Sequence, residues 1–351
     1  MNREAAKRGF LEVAGWRGAT LSPLAGDASN RRYERVAHGA RKAVLMDAPA
    51  ERGEDIRPFL AVGDWLRSLG LSAPETYAAD ADLGFALLED LGDALFARVS
   101  AAEPAREAEL YAAAVDLLPA LSPPPARLSA PGFDAPPAPY DAAVLLREAM
   151  LALDWWKAGA TGAAPSADLS AEFAARIGEA TAAVAPDRSA FALRDYHAEN
   201  LLWLPDRKGA ARVGLLDYQD ALAGSPGYDL VSLLEDARRD TSPELREAML
   251  ARRIAATGAE PESFRAAYAA LGAQRNLKIV GIFARLRLRD GKPHYLSLIP
   301  RVWDHLQRDL AHPALAPLAG FVARHIPAPT PQALARVRAG AGFLDGARAA
   351  L

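Results

Sequence analysis

Apolar and polar positions in the first ninety residues follow the short alternating runs that antiparallel strands require. Five strands are predicted, at residues 20–24, 31–36, 43–46, 76–79 and 85–88. The first two form a hairpin, because the turn-forming residues 25–30 lie between them. This pattern predicts a small antiparallel sheet.

One helical pattern interrupts these strands. Ile56, Phe59, Leu60 and Leu66 recur at helical spacing, and Gly70 is placed to end the helix. After residue 91 the pattern is mostly helical and alanine-rich. We therefore predict an α+β fold with two lobes, a small antiparallel-sheet lobe at 1–91 and a larger, mainly helical lobe at 92–351.

A proline-rich segment separates the helical patterns of the second lobe. Residues 119–139 contain eight prolines, a density that prevents regular helix. We interpret this segment as a surface crossover within the helical lobe, with an interdomain linker as the alternative.

A second hairpin breaks the helical rhythm further along the chain. Apolar runs at 201–204 and 213–216 flank a turn-forming segment, and a turn centred near residue 208 pairs Asn200 with Asp217. Asp195 lies just before the hairpin on a loop. An amide and carboxylates grouped in this way suit Mg²⁺.

This spacing indicates phosphoryl transfer from ATP. The transition state of that reaction is stabilised mainly by positioning and by the charge of the metal ion. A carboxylate orients the attacking hydroxyl, and Asp-x4-Asn followed by a hairpin and a second Asp supplies the base and the metal ligands in the order that kinases use.

Composition excludes several other classes of protein. The chain of 351 residues has 41 basic and 44 acidic side chains, so no general positive field is available to hold a nucleic acid. It has no cysteine, which excludes disulfides and thiolate metal sites. No signal-peptide h-region and no run of 18 apolar residues is found. We expect a cytoplasmic protein with no membrane or nucleic-acid partner and no obligate protein partner.

Several motifs together resemble the aminoglycoside phosphotransferase-like superfamily of small-molecule kinases. The matching segments are LAGDASNRRYERV, VLMDAP, LLEDLG, LRDYHAENLLWL and LLDYQDALAGSPGYDL. Within the superfamily they are most similar to the bacterial cell-wall-recycling kinases that phosphorylate the anomeric hydroxyl of N-acetylmuramate and N-acetylglucosamine.

The resemblance implies roles for individual residues. Asp195 would be the catalytic base, and Asn200 and Asp217 the magnesium ligands. Glu89 and Leu91 would be hinge positions whose backbone meets the adenine of ATP. The resemblance also implies a bilobal, protein-kinase-like fold, with a nucleotide-binding N-lobe at 1–91 and a catalytic, sugar-binding C-lobe at 92–351. The acceptor would be a small sugar.

The third strand departs from the family pattern. Its usual Lys or Arg, which binds the nucleotide phosphates, is replaced by Met46. We predict that Arg32, or failing it Arg31, substitutes, because a guanidinium binds phosphate oxygens bidentately. The alternative is that both arginines are solvated edge-strand charges. Backbone N–H groups in the turn would cover the phosphates, with Gly26, Ser29 and Asn30 as the predicted residues.

Five further residues are candidates for contact with the acceptor. Each has a structural alternative: His197 as loop scaffold, the tryptophan as core, and the helical cations as a solvent-facing stripe. A carboxylate near the base would favour a cationic aminoglycoside as the acceptor. The five candidates are His197, Trp156, Asp220, Arg275 and Lys278.

Another triplet superficially suggests a metal site. His305, Asp309 and His312 follow i, i+4, i+7 spacing. Because H-E-x-x-H is absent and no fourth ligand is evident, we interpret them as a partly exposed helix face.

The functional prediction is an ATP- and Mg²⁺-dependent kinase of an N-acetylated amino sugar. Two alternatives remain open. One is a kinase for another small hydroxylated acceptor, such as an aminoglycoside or a choline-like alcohol. The other is a catalytically inactive nucleotide-binding module, which the missing strand lysine suggests.

Overall fold

The computed structural model describes residues 2–24 and 31–340. Contacts divide the chain into two compact units. Unit 1 comprises Pro125–Pro137, Leu193–Ala221 and the described residues of Met1–Ala120. Unit 2 comprises Leu121–Pro124, Ala138–Ala192 and the described residues of Leu222–Leu351. The chain crosses between the units repeatedly, and the predicted division into 1–91 and 92–351 stays a prediction.

The strands are short. In chain order they are β1 Thr20–Pro23, β2 Arg32–His38, β3 Arg41–Asp47, β4 Thr76–Asp80, β5 Phe85–Glu89, β6 Leu128–Ala130, β7 Phe133–Ala135, β8 Ala190–Ala192, β9 Leu201–Trp203, β10 Val213–Leu215 and β11 Leu222–Gly224.

The α-helices in chain order are α1 Arg3–Val13, α2 Arg57–Ser68, α3 Phe96–Ala102, α4 Glu107–Leu117, α5 Ala142–Leu151, α6 Ala158–Thr161, α7 Ala167–Thr181, α8 Tyr228–Leu234, α9 Pro243–Thr257, α10 Pro261–Leu288, α11 Ile299–Leu310, α12 Ala316–His325 and α13 Pro331–Ala339. A π-helical segment, Ala152–Lys157, joins α5 to α6. Short 3₁₀ helices lie at Ala50–Arg52, Pro104–Arg106, Leu118–Leu121, Gly209–Arg212, Pro293–Leu298 and Pro313–Leu315. Among the described residues, none of the helices has the length and apolar character needed to cross a bilayer.

Unit 1 contains a five-stranded antiparallel sheet in the order β1-β2-β3-β5-β4. The five strands and helix α2 predicted from the sequence are confirmed, and Gly70 beyond α2 has the left-handed φ of 75° expected of a helix-ending glycine. One face of the sheet is buried because Val36, Leu45 and Phe85 pack into one apolar cluster.

Helix α1 covers that buried face, and the sequence analysis missed it. Phe10 and Leu11 join the same cluster as Leu45 and Phe85. Polar contacts fix the helix as well, since Lys7 Nζ donates to Glu34 Oε2 at 2.6 Å. The far side of the sheet, opposite α1, is therefore the side left for the candidate site.

The proline-rich segment is not a crossover within the helical unit, as its sequence suggested. Residues 128–135 form the hairpin β6–β7, which belongs to unit 1 and contacts α2. Proline density excluded helix correctly, but the two three-residue strands are too short to give a readable alternating pattern.

Unit 2 is built around the 28-residue helix α10, which contacts α5, α11 and the π-helical segment. Trp156 lies in this core and is fully buried, and its indole Nε1 donates to the Pro327 carbonyl at 2.8 Å. No face of this ring is left for a sugar. We therefore withdraw Trp156 as a substrate residue, and its role is core packing.

Candidate active site

The loop that carries Asp195 is held by its neighbours. The His197 N–H donates to the Asp195 carbonyl at 3.1 Å, and the Asn200 N–H donates to the His197 carbonyl at 2.8 Å. Tyr196 is buried, and its hydroxyl donates to the Ala114 carbonyl in α4 at 2.8 Å. These bonds fix the backbone on both sides of the Asp195 side chain.

The second hairpin brings Asn200 and Asp217 together, but in a different register from the predicted one. Leu215 pairs with Leu201, so Asn200 lies opposite Leu216, whose N–H donates to the Asn200 carbonyl at 3.0 Å. The predicted pairing of Asn200 with Asp217 is wrong by one residue. Asp217 nevertheless reaches the amide, because Asn200 Nδ2 lies 3.5 Å from Asp217 Oδ2.

Left-handed backbone explains how the shifted register still gives this geometry. Asp217 has φ of 57° and Arg194, next to Asp195, has φ of 72°. Among the described residues these are the only non-glycine positions with positive φ. Such conformations cost of order 1–3 kcal/mol and tend to cluster at functional sites. Arg194 directly precedes the candidate acid Asp195, and Asp217 is itself a candidate acid.

The surroundings of Asp217 disfavour its ionised carboxylate. Burial raises the pKa of Asp217, and the negative charges of Asp195 and Asp220 raise it further. A hydrogen bond from Gln219 Nε2 to Asp217 Oδ1 at 2.7 Å and the charge of Arg31 act in the opposite direction. A divalent cation would relieve this repulsion, so the donor set fits one.

The number of protein ligands also suits magnesium. No group of three or more His, Asp or Glu able to hold a metal occurs in the described parts of the chain. Mg²⁺ commonly takes only one or two carboxylates and completes its shell with water and substrate phosphates. Asp217 with the amide of Asn200 is a set of that kind. The roles of Asp195, Asn200 and Asp217 stay predictions.

The two candidate phosphate ligands, Arg31 and Arg32, lie on opposite faces of the sheet at the start of strand β2. Arg31 lies next to the strand, where Asp217 acts on its charge, and its Nε donates to Glu54 Oε2 at 2.9 Å. Arg32 is exposed, and its charge acts on the carboxyl group of Glu4 in α1, which covers the other face of the sheet. Because successive side chains of a strand point to opposite faces, this placement favours Arg31 over Arg32 as the phosphate ligand. The sequence had favoured Arg32 first and Arg31 second.

Met46 lies on the same face as Arg31. It pairs directly with Tyr33, the residue two positions after Arg31. Burial raises the pKa of Tyr33 to about 12, with a further contribution from Asp217. Met46 thus occupies the face where a strand lysine would meet a nucleotide, and Arg31 supplies a cation there.

Of the predicted hinge residues, Glu89 ends strand β5 and Leu91 lies two residues beyond it. The side chain of Glu89 accepts a hydrogen bond from Arg207 and one from the Glu75 N–H at 3.3 Å. The Leu91 side chain lies against Gly214 of β10. Their predicted backbone contact with adenine is untested. Gly26, Ser29 and Asn30 lie outside the described residues.

Two of the weaker acceptor candidates belong to the same loops of unit 1. His197 is buried, with Nε2 at 3.4 Å from Asn200 Nδ2. Asp220 is exposed, and its carbonyl accepts a hydrogen bond from Arg194 Nη1 at 3.1 Å. Both lie beside the candidate acids, and their contact with an acceptor stays a prediction.

The other two lie on α10 in unit 2. Lys278 Nζ is 3.1 Å from Glu148 Oε1, so its charge is paired. Arg275 is buried, and its Nη2 donates to Ser232 Oγ at 2.7 Å. The expected alternative, a solvent-facing stripe, is wrong for Arg275, because burial and a hydrogen bond hold it inside the unit.

Sequence analysis missed three residues that border the candidate acids. They are Glu54, which pairs with Arg31, Gln219, which donates to Asp217, and Tyr33. Gln219 could have been noticed from its spacing two residues after Asp217. No local signal identifies Glu54, which comes from the segment before α2.

The predicted exposed helix face on α11 is wrong. His305 and Asp309 are both buried. Asn276 Nδ2 on α10 donates to Glu235 Oε2 at 2.6 Å and to Asp309 Oδ2 at 2.9 Å. Gly272 is required beside them, because a Cβ there would lie 2.6 Å from both carboxyl oxygens of Asp309. The i, i+4 pattern is a buried polar layer and not a metal site.

This layer predicts a pH-dependent stability. Burial and the Glu235 charge raise the pKa of Asp309 well above its usual value. A carboxyl with a raised folded-state pKa loses its stabilising contribution as pH rises through that pKa. The unfolding free energy of Asp309→Asn relative to the native chain should therefore rise from pH 4 to pH 8.

Urea unfolding across this pH range measures the difference. Asp304→Asn on the same helix is the matched control, because Asp304 is exposed. Parallel curves for the native chain and Asp309→Asn would show that Asp309 carries no raised pKa. His305, whose pKa burial lowers to about 4, acts in the opposite direction but is common to all three proteins.

Comparison with known proteins adds an independent line of evidence. A family model described as "Phosphotransferase enzyme family" matches residues 20–267. A protein of Caulobacter vibrioides named N-acetylmuramate/N-acetylglucosamine kinase is 42% identical, and the alignment covers 93% of this chain and 98% of the relative. A protein of the same name from Pseudomonas aeruginosa is 36% identical, covering 87% of this chain and 88% of the relative.

A solved structure supports the fold. The choline/ethanolamine kinase family protein from Mesorhizobium loti has a TM-score of 0.59 with 15% identity, covering 96% of this chain and 99% of that chain. At this identity the likeness concerns the fold alone. It confirms the predicted kinase-like α+β fold.

Proposed function

Because the chain belongs to the phosphotransferase enzyme family, we propose that it transfers the γ-phosphoryl group of ATP to the anomeric hydroxyl of N-acetylmuramate or N-acetylglucosamine. The observation that carries the proposal is the 42% identity, over nearly the whole chain, to a relative named for both sugars. The convergence of Asp195, Asn200 and Asp217 supports the chemistry. We place this reaction in the recycling of cell-wall sugars in the cytoplasm, where ATP is available.

Asp195 is the proposed base. Its carboxylate accepts a hydrogen bond from the acceptor hydroxyl and orients the oxygen towards the γ-phosphorus of ATP. It takes the proton as the new P–O bond forms and the bond from the γ-phosphorus to the bridging oxygen breaks, releasing ADP. The hydrogen bonds of Tyr196 and His197 keep the loop from reorganising when the acceptor binds. Preorganisation of this kind lowers the entropy cost of aligning the two reactants.

Asn200 and Asp217 are the proposed magnesium ligands. They would hold a Mg²⁺ ion, which would supply positive charge to offset the negative charge of the transferring phosphoryl group. Gln219 holds one oxygen of Asp217 by its 2.7 Å hydrogen bond and so limits rotation of the carboxylate. A hydrogen bond of this type to a ligand oxygen orients the ligand before the metal arrives.

Arg31 is the proposed phosphate ligand in place of the strand lysine. Glu54 bonds its Nε and positions the guanidinium on the Asp217 side of the sheet. A hydrogen bond to a charged group contributes about 1.5–3 kcal/mol, so Arg31→Gln should raise KM for ATP roughly 10- to 100-fold. Steady-state titration with ATP measures this change.

Arg32→Gln is the matched control for Arg31→Gln. It removes the same charge one residue away, on the opposite face of β2, and should leave KM for ATP within about twofold. A larger increase in Arg32→Gln than in Arg31→Gln would transfer the role to Arg32.

Acceptor identity is tested by measuring ADP release with purified protein. N-acetylmuramate, N-acetylglucosamine, choline and kanamycin are offered separately, and ³¹P NMR locates the phosphate on any product. We expect turnover with the two N-acetylated sugars and a phosphate on C1. Turnover only with choline or kanamycin would refute the proposed acceptor, and absence of turnover with all four would favour an inactive module.

Arg275 and Lys278 are proposed to favour the carboxylated sugar. The supporting observations are limited to unit 2, where Lys278 is neutralised by Glu148 and Arg275 keeps an Nη1 without a hydrogen-bond partner among the described residues. The ratio of kcat/KM for N-acetylmuramate to that for N-acetylglucosamine should therefore fall more in Arg275→Gln than in Lys278→Gln.

A further inference from the structure

Unit 2 contains a polar pocket that none of the proposed catalytic residues lines. Its volume is about 310 Å³, the lower end of the range for small-molecule sites. Helix α9 contributes Arg246, and α11 contributes Arg301, His305 and Arg308. We refer to it as the arginine pocket.

Two of its three guanidinium groups have no carboxylate partner in the described part of the chain. Arg301 is paired, because its Nε donates to Asp240 Oδ1 at 2.7 Å and its Nη2 to Asp240 Oδ2 at 3.1 Å. Arg246 and Arg308 form no ion pair with any residue in 2–24 or 31–340. The exposed Asp304, which also lines the pocket, lies beyond ion-pair distance of both.

Hydrogen bonds hold the two unpaired arginines in place. Arg246 Nη1 donates to the Thr241 carbonyl, and Arg308 Nη2 donates to His305 Nδ1. His305 can accept that bond because its Nε2 faces the Asp236 carbonyl at 3.4 Å. Burial followed by the Arg308 charge lowers the pKa of His305 to about 4, so the ring is neutral at pH 7.

The two guanidinium charges repel each other. Burial lowers the pKa of Arg246, and the neighbouring Arg308 charge lowers it further. The lining side chains include three cations and two carboxylates, Asp240 and Asp304. The Arg308 charge also acts on Glu235 and Asp309, and burial raises the pKa of both carboxyl groups. Neither Arg246 nor Arg308 has a directly bonded carboxylate among residues 2–24 and 31–340.

We propose that the arginine pocket binds the phosphate group of a small phosphomonoester or free inorganic phosphate. Fixed guanidinium forks match phosphate oxygens bidentately, and phosphate has enough oxygens to bond both forks. Ser297 adds a hydroxyl to the lining. A monocarboxylate has only two oxygens and would occupy one fork, so the pocket favours phosphate. This binding does not depend on the proposed sugar-kinase reaction.

Calorimetric titration of the full chain with inorganic phosphate tests the proposal at constant ionic strength, with sodium chloride as the reference salt. Phosphate should bind with one site per chain, whereas chloride should give no saturable heat. Glucose 1-phosphate is titrated in a second arm. Tighter binding of either probe supports the site and tells whether a sugar phosphate or free phosphate is the better occupant.

Substitutions test whether the measured heat comes from phosphate binding in this pocket. Arg308→Gln and Arg246→Gln should each weaken phosphate binding at least tenfold. Arg308→Lys, which keeps the charge but loses the fork, should weaken it to a smaller degree. Arg324→Gln removes one charge from an exposed position of the same unit and should bind phosphate like the native chain. Arg308 is exposed, so its variants are expected to fold.

Two results would overturn the proposal. One is binding of phosphate with native affinity by both Arg308→Gln and Arg246→Gln, which would place the ion elsewhere. The other is an equal loss in Arg324→Gln, which would mean that overall charge rather than the pocket attracts the anion.

Discussion

Replacement of Asp195 by Asn is expected to lower kcat by about 10²- to 10⁴-fold, the usual contribution of a general base. ATP binding should be retained, because Asp195 is proposed to meet the acceptor and not the nucleotide. Asn keeps the shape of the side chain but cannot take the proton. Steady-state kinetics with N-acetylglucosamine measure kcat. Calorimetric titration with ATP measures nucleotide binding, so the two effects are separated.

The matched control for Asp195→Asn is Asp206→Asn. Asp206 is exposed in the turn between β9 and β10, so the same substitution is made in the same unit without touching the candidate acids. Its kcat should be that of the native chain. Turnover of Asp195→Asn within tenfold of native would exclude Asp195 as the base.

Asp217→Asn is expected to act on activity and stability in opposite directions. Turnover should fall by at least about 10²-fold, since a metal ion contributes several kcal/mol of charge stabilisation and 1.36 kcal/mol corresponds to a factor of ten. Without magnesium the variant should unfold at a higher temperature than the native chain. The cause is that burial and the neighbouring Asp195 and Asp220 charges disfavour the ionised carboxylate.

Thermal unfolding with and without magnesium checks both effects. Magnesium should raise the unfolding temperature of the native chain and not that of Asp217→Asn. The stability difference between the two proteins in metal-free buffer should grow as pH rises through the raised pKa of Asp217. Equal stabilisation of both proteins by magnesium would remove Asp217 from the metal site.

Much of unit 1 could be predicted because its signals are local. Residues 43–46 and 85–88 are short apolar runs between turn-forming residues, and both form strands. Helix α1 was missed although it carries a readable start, since Asn2 Oδ1 caps the Glu4 N–H at 3.0 Å and Ala6 and Phe10 are one helical turn apart.

The site was harder to predict because it depends on register. A one-residue shift exchanges the two faces of a strand, and hairpin register follows the turn geometry. The turn between β9 and β10 includes the 3₁₀ segment Gly209–Arg212, which no sequence pattern predicts. The left-handed φ of Asp217 likewise cannot be predicted from the sequence, because aspartate adopts it more often than most residues but still in only a minority of positions.

The choice between Arg31 and Arg32 depends on the same kind of information. Two adjacent arginines carry identical side chains, and only their faces differ. Those faces follow from the pairing of Tyr33 with Met46 and of Arg32 with Asp47, which requires the whole sheet. The burial of His305 and Asp309 also depends on tertiary packing against α10.

The close approach of Gly272 to Asp309 constrains how this protein can evolve. Any mutation that adds a side chain at position 272 places a carbon 2.6 Å from both carboxyl oxygens of Asp309, so that carboxyl group must move. Moving it disturbs the hydrogen bond from Asn276. Alanine at 272 is therefore expected to be tolerated better once a smaller residue stands at 309, so that the effect of either substitution depends on the other.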